Sequence, residues 1–124
     1  MTPAERGFPK ACRLLRPADF ARVYAGRHSA SAGPLVVYAA ANAAAEGGVR
    51  LGLSVSRRIG TAVVRNRWKR RLREAFRRVR GGLPPGHDFI VVVRSGLPPA
   101  GAAGLEATAD SLLTLAGRAA RRCR

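Results

Sequence analysis

Residues 65–80, RNRWKRRLREAFRRVR, hold nine basic side chains and a single acid, Glu74. Few folds accept such a segment. On a helical wheel at about 100° per residue, Trp68, Leu72, Ala75, Phe76 and Val79 fall within an arc of about 100°, the width of a stripe that packs on a core. Asn66, Lys69, Arg70, Arg73, Arg77 and Arg80 gather on the opposite side, flanked by Arg67, Arg71 and Arg78. The helix must therefore rest on a scaffold by one face and hold the other in solvent. Like charges at i, i+3 and i+4 repel by about a few tenths of a kcal/mol per pair. With so little acid to offset them, the ridge calls for a polyanion.

The flanking segments indicate the scaffold. Residues 49–56 alternate strictly, with Val49, Leu51, Leu53 and Val55 on one side, and predict a half-buried strand. Residues 35–40 (LVVYAA) are β-rich, and the two runs together predict a hairpin across a loop at residues 42–48. The basic helix is expected from about Ala62 to Arg80, stopped by Gly81-Gly82 and kept from restarting by Pro84-Pro85. Residues 88–94 (DFIVVVR) are almost continuously apolar and predict a strand covered on both faces. Residues 17–25 predict a short helix, with Pro17 in its first turn, Gly26 past its end, and Phe20, Val23 and Tyr24 on one face. A loop is expected at 95–104 and a last helix from about 105 to 121, with Leu105, Leu112, Leu113, Ala116 and Ala120 as its apolar stripe. The order predicts an α+β sandwich with a small mixed sheet. A single domain over residues 1–124 is expected, with 1–12 a flexible tail and 105–124 the C-terminal helix and tail.

Composition narrows the function. The 124 residues are 47% hydrophobic, enough for a core, yet 23 Lys and Arg face 7 Asp and Glu, a formal net charge of +16. Such a balance points to nucleic acid or an anionic membrane surface. All but two of the cations, Lys10 and Lys69, are arginine. Arginine suits bidentate phosphate contacts and base stacking, although an arginine- and alanine-rich chain also follows from a GC-rich genome. No apolar run approaches the roughly 20 residues of a membrane span, and residues 1–10 hold no signal-peptide core. Cys12 and Cys123 lie near opposite ends and read as reduced thiols of a cytoplasmic protein.

No catalytic or metal-binding set emerges. The seven carboxylates form no spaced pair of the sort a two-metal nuclease uses. His28 and His87 are isolated, without zinc-ligand spacing, and no phosphate-binding loop pattern occurs. Arg57 and Arg58, just past a strand end, either extend the ridge or are exposed loop arginines. Phe20, Tyr24 and Tyr38 suit stacking on unpaired bases, although aromatics at such spacing more often belong to a core. The chain reads as a binder. A structural RNA-binding protein such as a ribosomal protein shares these features, and a DNA-binding module or a nuclease in its own right fits them less well.

Residues 51–76, LGLSVSRRIGTAVVRNRWKRRLREAF, closely resemble the signature of the protein component of bacterial ribonuclease P. Arg65-Asn66-Arg67 looks like that family's R-N-R motif, continued by Lys69, Arg70 and Arg73. Arg13-Leu14 with Asp19-Phe20 and Val23-Tyr24 resembles its first helix, residues 35–38 its first strand and residues 88–94 its last. Thr61 stands where the family commonly has Asn, Arg57-Arg58 where lysines are common, and Trp68 in place of an aliphatic. Residues after Pro98 match poorly. The resemblance implies a two-layer sandwich with a four-stranded mixed sheet and a left-handed β-α-β crossover (ribosomal-protein-S5-domain-2-like), against the usual right-handed preference. It implies an accessory subunit of a ribozyme that removes the 5′ leader from precursor tRNA. Catalysis would reside in the RNA subunit and its Mg²⁺, with no cofactor, membrane or small-molecule substrate on the protein. Phe20, Tyr24 and Tyr38 would line a cleft for the leader. Arg65, Asn66, Arg67, Lys69, Arg70 and Arg73, with Arg57 and Arg58, would face RNA.

Overall fold

The computed structural model describes residues 12–42 and 48–123. The expected tail therefore lies outside the described residues except for Cys12, and so does most of the loop after Asn42. In chain order the elements are α1 (Pro17–Ala25), β1 (Ser29–Ala32), β2 (Leu35–Ala41), β3 (Arg50–Val55), α2 (Ala62–Val79), β4 (His87–Val93) and α3 (Gly101–Arg121). The sheet runs β1-β2-β4-β3. β2 is antiparallel to both β1 and β4, and β3 is parallel to β4. The mixed sheet is thus as expected, and α2 is the crossover between its two parallel strands.

The expected hairpin between residues 35–40 and 49–56 does not form. β2 turns back through Gly33-Pro34 onto β1, and β4 inserts between β2 and β3. Burial explains the arrangement. β4 is the most apolar strand, with Asp88, Phe89, Ile90, Val91 and Val93 all buried, so it takes the centre of the sheet and separates the two half-buried runs. β1, Ser-Ala-Ser-Ala, carries no bulky residue and left no pattern to read. The outer edge of β3 is covered by the chain before α1, where Leu14 N donates to Leu51 O at 2.9 Å.

α2 and α3 pack on one face. There Leu35, Val37, Phe89, Val91 and Val93 meet Trp68, Leu72, Ala75 and Phe76 of α2 and Leu112, Leu115, Ala116 and Ala119 of α3. Trp68 is fully buried, and its Nε1 donates to Gly96 O at 3.0 Å, the partner a buried indole requires. α2 starts where Thr61 Oγ1 accepts from Val64 N, so the threonine serves as a proper N-cap. α3 begins at Gly101, four residues before the expected start, because alanines continue the helix back through the presumed loop. Its buried stripe is also rotated: Leu115 and Ala119 face the core, while Leu113 is partly exposed.

Candidate nucleic-acid interface

The other face of the sheet is assembled differently. Three rows cross it: Ala40, Asp88 and Arg50; then Tyr38, Ile90 and Gly52; then Val36, Val92 and Ser54. α1 covers the first two rows, burying Val23 with Leu14 and Ile90 and packing Phe20 and Tyr24 beside them. Val36, Val92 and Ser54 stay half-buried beyond its edge. The result is an open trough floored by strands and walled by α1.

The three expected cleft residues come together there. Tyr24 meets Tyr38 edge to face with ring centroids 5.0 Å apart, and Phe20 lies 6.4 Å from Tyr24. Each is half-buried, so the core and stacking roles are not exclusive: part of each ring supports α1 while part stays accessible. Gly52 makes this possible. A Cβ there would fall 2.7 Å from Phe20 Cζ, so only glycine lets the ring settle on β3.

α1 is fastened at one end by a buried carboxylate. Asp88 Oδ1 accepts from Arg50 Nε at 2.8 Å and Asn42 Nδ2 at 3.0 Å, and Asp88 Oδ2 accepts from Arg50 Nη2 at 2.7 Å. Arg22 of α1 also donates to Asp88 Oδ2, and to Ala41 O at 2.9 Å. Burial pushes the Asp88 carboxyl upward, but the hydrogen bonds from Arg50 and Asn42 and the charges of Arg50 and Arg22 outweigh it and hold the group below its ordinary value of 3.8. Sequence reasoning passed over this network. Its signal was an acid at the head of a strand predicted to be covered on both faces, since a buried carboxylate must be paired.

The cationic ridge is α2. Asn66, Arg70, Arg73 and Arg77 are exposed and, with Lys69, border a hollow of about 370 Å³. Lys69 and Arg73 also border a second hollow of about 140 Å³ with Phe20, Leu53 and Arg13, so ridge and aromatic trough share a wall. The side chains of Asn66, Lys69, Arg70 and Arg73 make no hydrogen bond or ion pair with other described residues. The remaining expected residues divide. Arg57 and Arg58 are exposed in a 3-10 turn just before α2. Arg67 is exposed on the flank of α2 away from the trough. Arg65 is half-buried, its Nε shielded from solvent and unpartnered among the described residues. Arg80 leaves the ridge altogether, turning in a 3-10 turn to donate to Cys12 Sγ at 3.6 Å.

Among the described residues no three His, Cys, Asp or Glu side chains come together as a metal site. No described helix is long and apolar enough to cross a membrane. What the geometry provides is a row of cations, of which Lys69, Arg70 and Arg73 have no side-chain partner among the described residues, beside a strip of half-exposed aromatic and aliphatic surface, the two components of a single-stranded nucleic-acid site.

Known proteins resemble this chain in sequence and in fold. The ribonuclease P family model matches residues 8–117. The ribonuclease P protein component of Brevibacillus brevis is 39% identical over 107 residues, spanning 86% of this chain and 82% of that protein. That of Herpetosiphon aurantiacus is 48% identical over 84 residues, 68% of this chain and 67% of that protein. The solved RNase P protein of Staphylococcus aureus superposes with a TM-score of 0.67 at 33% identity, covering 86% of this chain and 93% of the other. The RNase P protein from Thermotoga maritima gives 0.67 at 29% identity, covering 86% and 96%. The match spans both the basic helix and the trough, and on that ground the chain belongs to the ribonuclease P protein family, the protein component of that endoribonuclease.

Proposed function

We propose that the chain works as a clamp for two RNAs: α2 docks on the catalytic RNA of ribonuclease P, and the trough beside it holds the 5′ leader of precursor tRNA. The observation that carries this reading is the shared wall, where Lys69 and Arg73 border both the ridge and the hollow at Phe20. A strand lying in the trough would set its bases against Phe20, Tyr24 and Tyr38 and its phosphates toward the ridge. Every base has a π-face, so such contacts tolerate sequence variation, as a leader of varied sequence requires. Each phosphate neutralised by the ridge releases counterions, and affinity should fall steeply with salt. Arg65, with its shielded Nε, would gain a hydrogen-bond acceptor when RNA covers it.

In this reading the chain supplies binding, and the metal chemistry is that of the RNA subunit, whose Mg²⁺ ions serve the cleavage. Screening of phosphates near the scissile bond would favour that Mg²⁺ binding. A cytoplasmic location, where precursor tRNA is made, follows from the same reading. Adding the chain to a bacterial ribonuclease P RNA at low Mg²⁺ should restore leader removal. A preparation that leaves the RNA inactive at low Mg²⁺, though folded, would count against the proposal.

A further inference from the structure

The flank of α2 that faces away from the trough borders a third hollow, of about 430 Å³, within the range of about 300–1,000 Å³ usual for ligand sites. One wall is α2, through Arg67, Arg70 and Arg71; the other is the linker at residues 97–101. That linker is pinned at both ends. Trp68 Nε1 holds Gly96 O, and Pro99 lies so close to α3 that a Cβ at Gly104 would sit 2.5 Å from the Pro99 carbonyl carbon. Gly101 takes a φ of +71°, a conformation that favours glycine and sets the entry into α3. Between these anchors Leu97 is 72% exposed, the highest value among the exposed large hydrophobics of the described residues. The arginines opposite it make no side-chain hydrogen bond or ion pair with other described residues.

A pinned segment that presents an aliphatic surface to unpaired guanidinium groups has the chemistry of a nucleotide site. Apolar and guanidinium planes take the base, and arginine forks take the phosphate. We propose that this hollow receives one unpaired nucleotide of the ribonuclease P RNA, its phosphate on Arg67 and Arg71 and its base against Leu97 and Pro98. Glu74, the one acid in the wall, offers an acceptor to a base amino group. The inference rests on α2 being RNA-facing, and it separates the two RNAs. Arg67 and Arg71 each lie about 160° around the helix from Lys69, which borders the trough, so a leader strand would have to cross the ridge to reach them.

Three variants test it: Leu97→Ser, Arg71→Ala, and Arg78→Ala as an exposed arginine on the same helix that borders none of the three hollows. Binding of each chain to ribonuclease P RNA is measured across a salt series, and the assembled complexes are then compared for precursor and mature tRNA affinity. Leu97→Ser changes no charge, so a purely electrostatic ridge predicts no effect; the nucleotide site predicts roughly fivefold weaker RNA binding. Arg71→Ala should weaken it roughly tenfold, and more than Arg78→Ala does. Neither site variant should alter the ratio of precursor to mature tRNA affinity. Wild-type RNA affinity in Leu97→Ser, or equal losses in Arg71→Ala and Arg78→Ala, overturns the site while leaving the functional reading intact. A lowered precursor ratio in the site variants overturns it too, by assigning the nucleotide to the leader. A wild-type chain that fails to bind the RNA overturns both.

Discussion

Against α2 and α3 the sheet buries Leu35, Val37, Phe89, Val91 and Val93, with Trp68 and Phe76 closing over them. Against α1 the one large apolar side chain it buries fully among the described residues is Ile90, with Leu14 and Val23, and Tyr38, Val36 and Val92 stay half-open. One face uses its apolar surface to hold the fold together. The other covers two rows of three and fastens α1 through a polar clamp at Asp88 in place of a full layer of side chains. The open face leaves an apolar strip beside Lys69, Arg70 and Arg73, which have no side-chain partner among the described residues, a surface that a bound molecule would complete. α2 serves both sides, with its inner stripe in the closed core and its outer stripe along the open trough.

Substitutions on the two faces should therefore separate stability from binding. The largest effect belongs to the closed face. Trp68→Ala should cost about 3–5 kcal/mol of stability, read from denaturant melting, and a near-normal melt would mean that the ring is not in the core. Next comes the clamp that joins the faces. Asp88→Asn removes the nearer counter-charge of Arg22 and Arg50 and leaves them only Asp19, 4.0 and 3.7 Å away; both are partly exposed, so solvent screening limits the loss to about 1–3 kcal/mol. The carboxyl is held below 3.8 when folded, so its contribution is complete above that value and disappears as pH falls through the folded value. Acid melting should accordingly be shallower in Asp88→Asn than in the wild type, and identical acid profiles would show that the clamp contributes nothing.

On the open face the expected loss moves from stability to affinity. Tyr38→Ala should weaken precursor tRNA binding by about 1–3 kcal/mol while RNA-subunit assembly stays the same. Gly52→Ala pushes the Phe20 ring off β3 and should lower precursor affinity in the same direction; a variant that binds precursor like the wild type would show that ring placement is immaterial. The smallest stability effect is expected on the ridge. Arg70→Ala should change stability by no more than about 0.5 kcal/mol yet reduce the salt slope of RNA binding by about one. An unchanged slope would mean that its side chain meets no phosphate.

The parts legible in the sequence are those with punctuation or strong periodicity. α1 has its predicted bounds because Pro17 and Gly26 mark them, and α2 ends at Val79, one residue before the expected Arg80, with Gly81-Gly82 just beyond. The buried stripe of α2 is also as read, apart from Val79, which is only partly buried. Strand order was less legible. Adjacent β-rich runs suggest a hairpin, and only the greater burial of β4 decides that it lies between them. β1 has no large side chain, and the Gly/Ala run before residue 105 conceals a helix start. For the site, charge periodicity revealed the ridge, since phosphate contacts need only cations at helical pitch. The trough came from resemblance alone, because its floor draws single residues from three strands. The Asp88 clamp draws on four segments of the chain, and no local pattern encodes such a meeting.

The most direct test compares precursor and mature tRNA, which differ by the leader, for affinity to ribonuclease P RNA with and without this chain. An open trough that holds the leader predicts that the protein tightens binding of the precursor and leaves the mature form nearly unchanged. Equal tightening of both, in a complex shown to contain the protein, would contradict it.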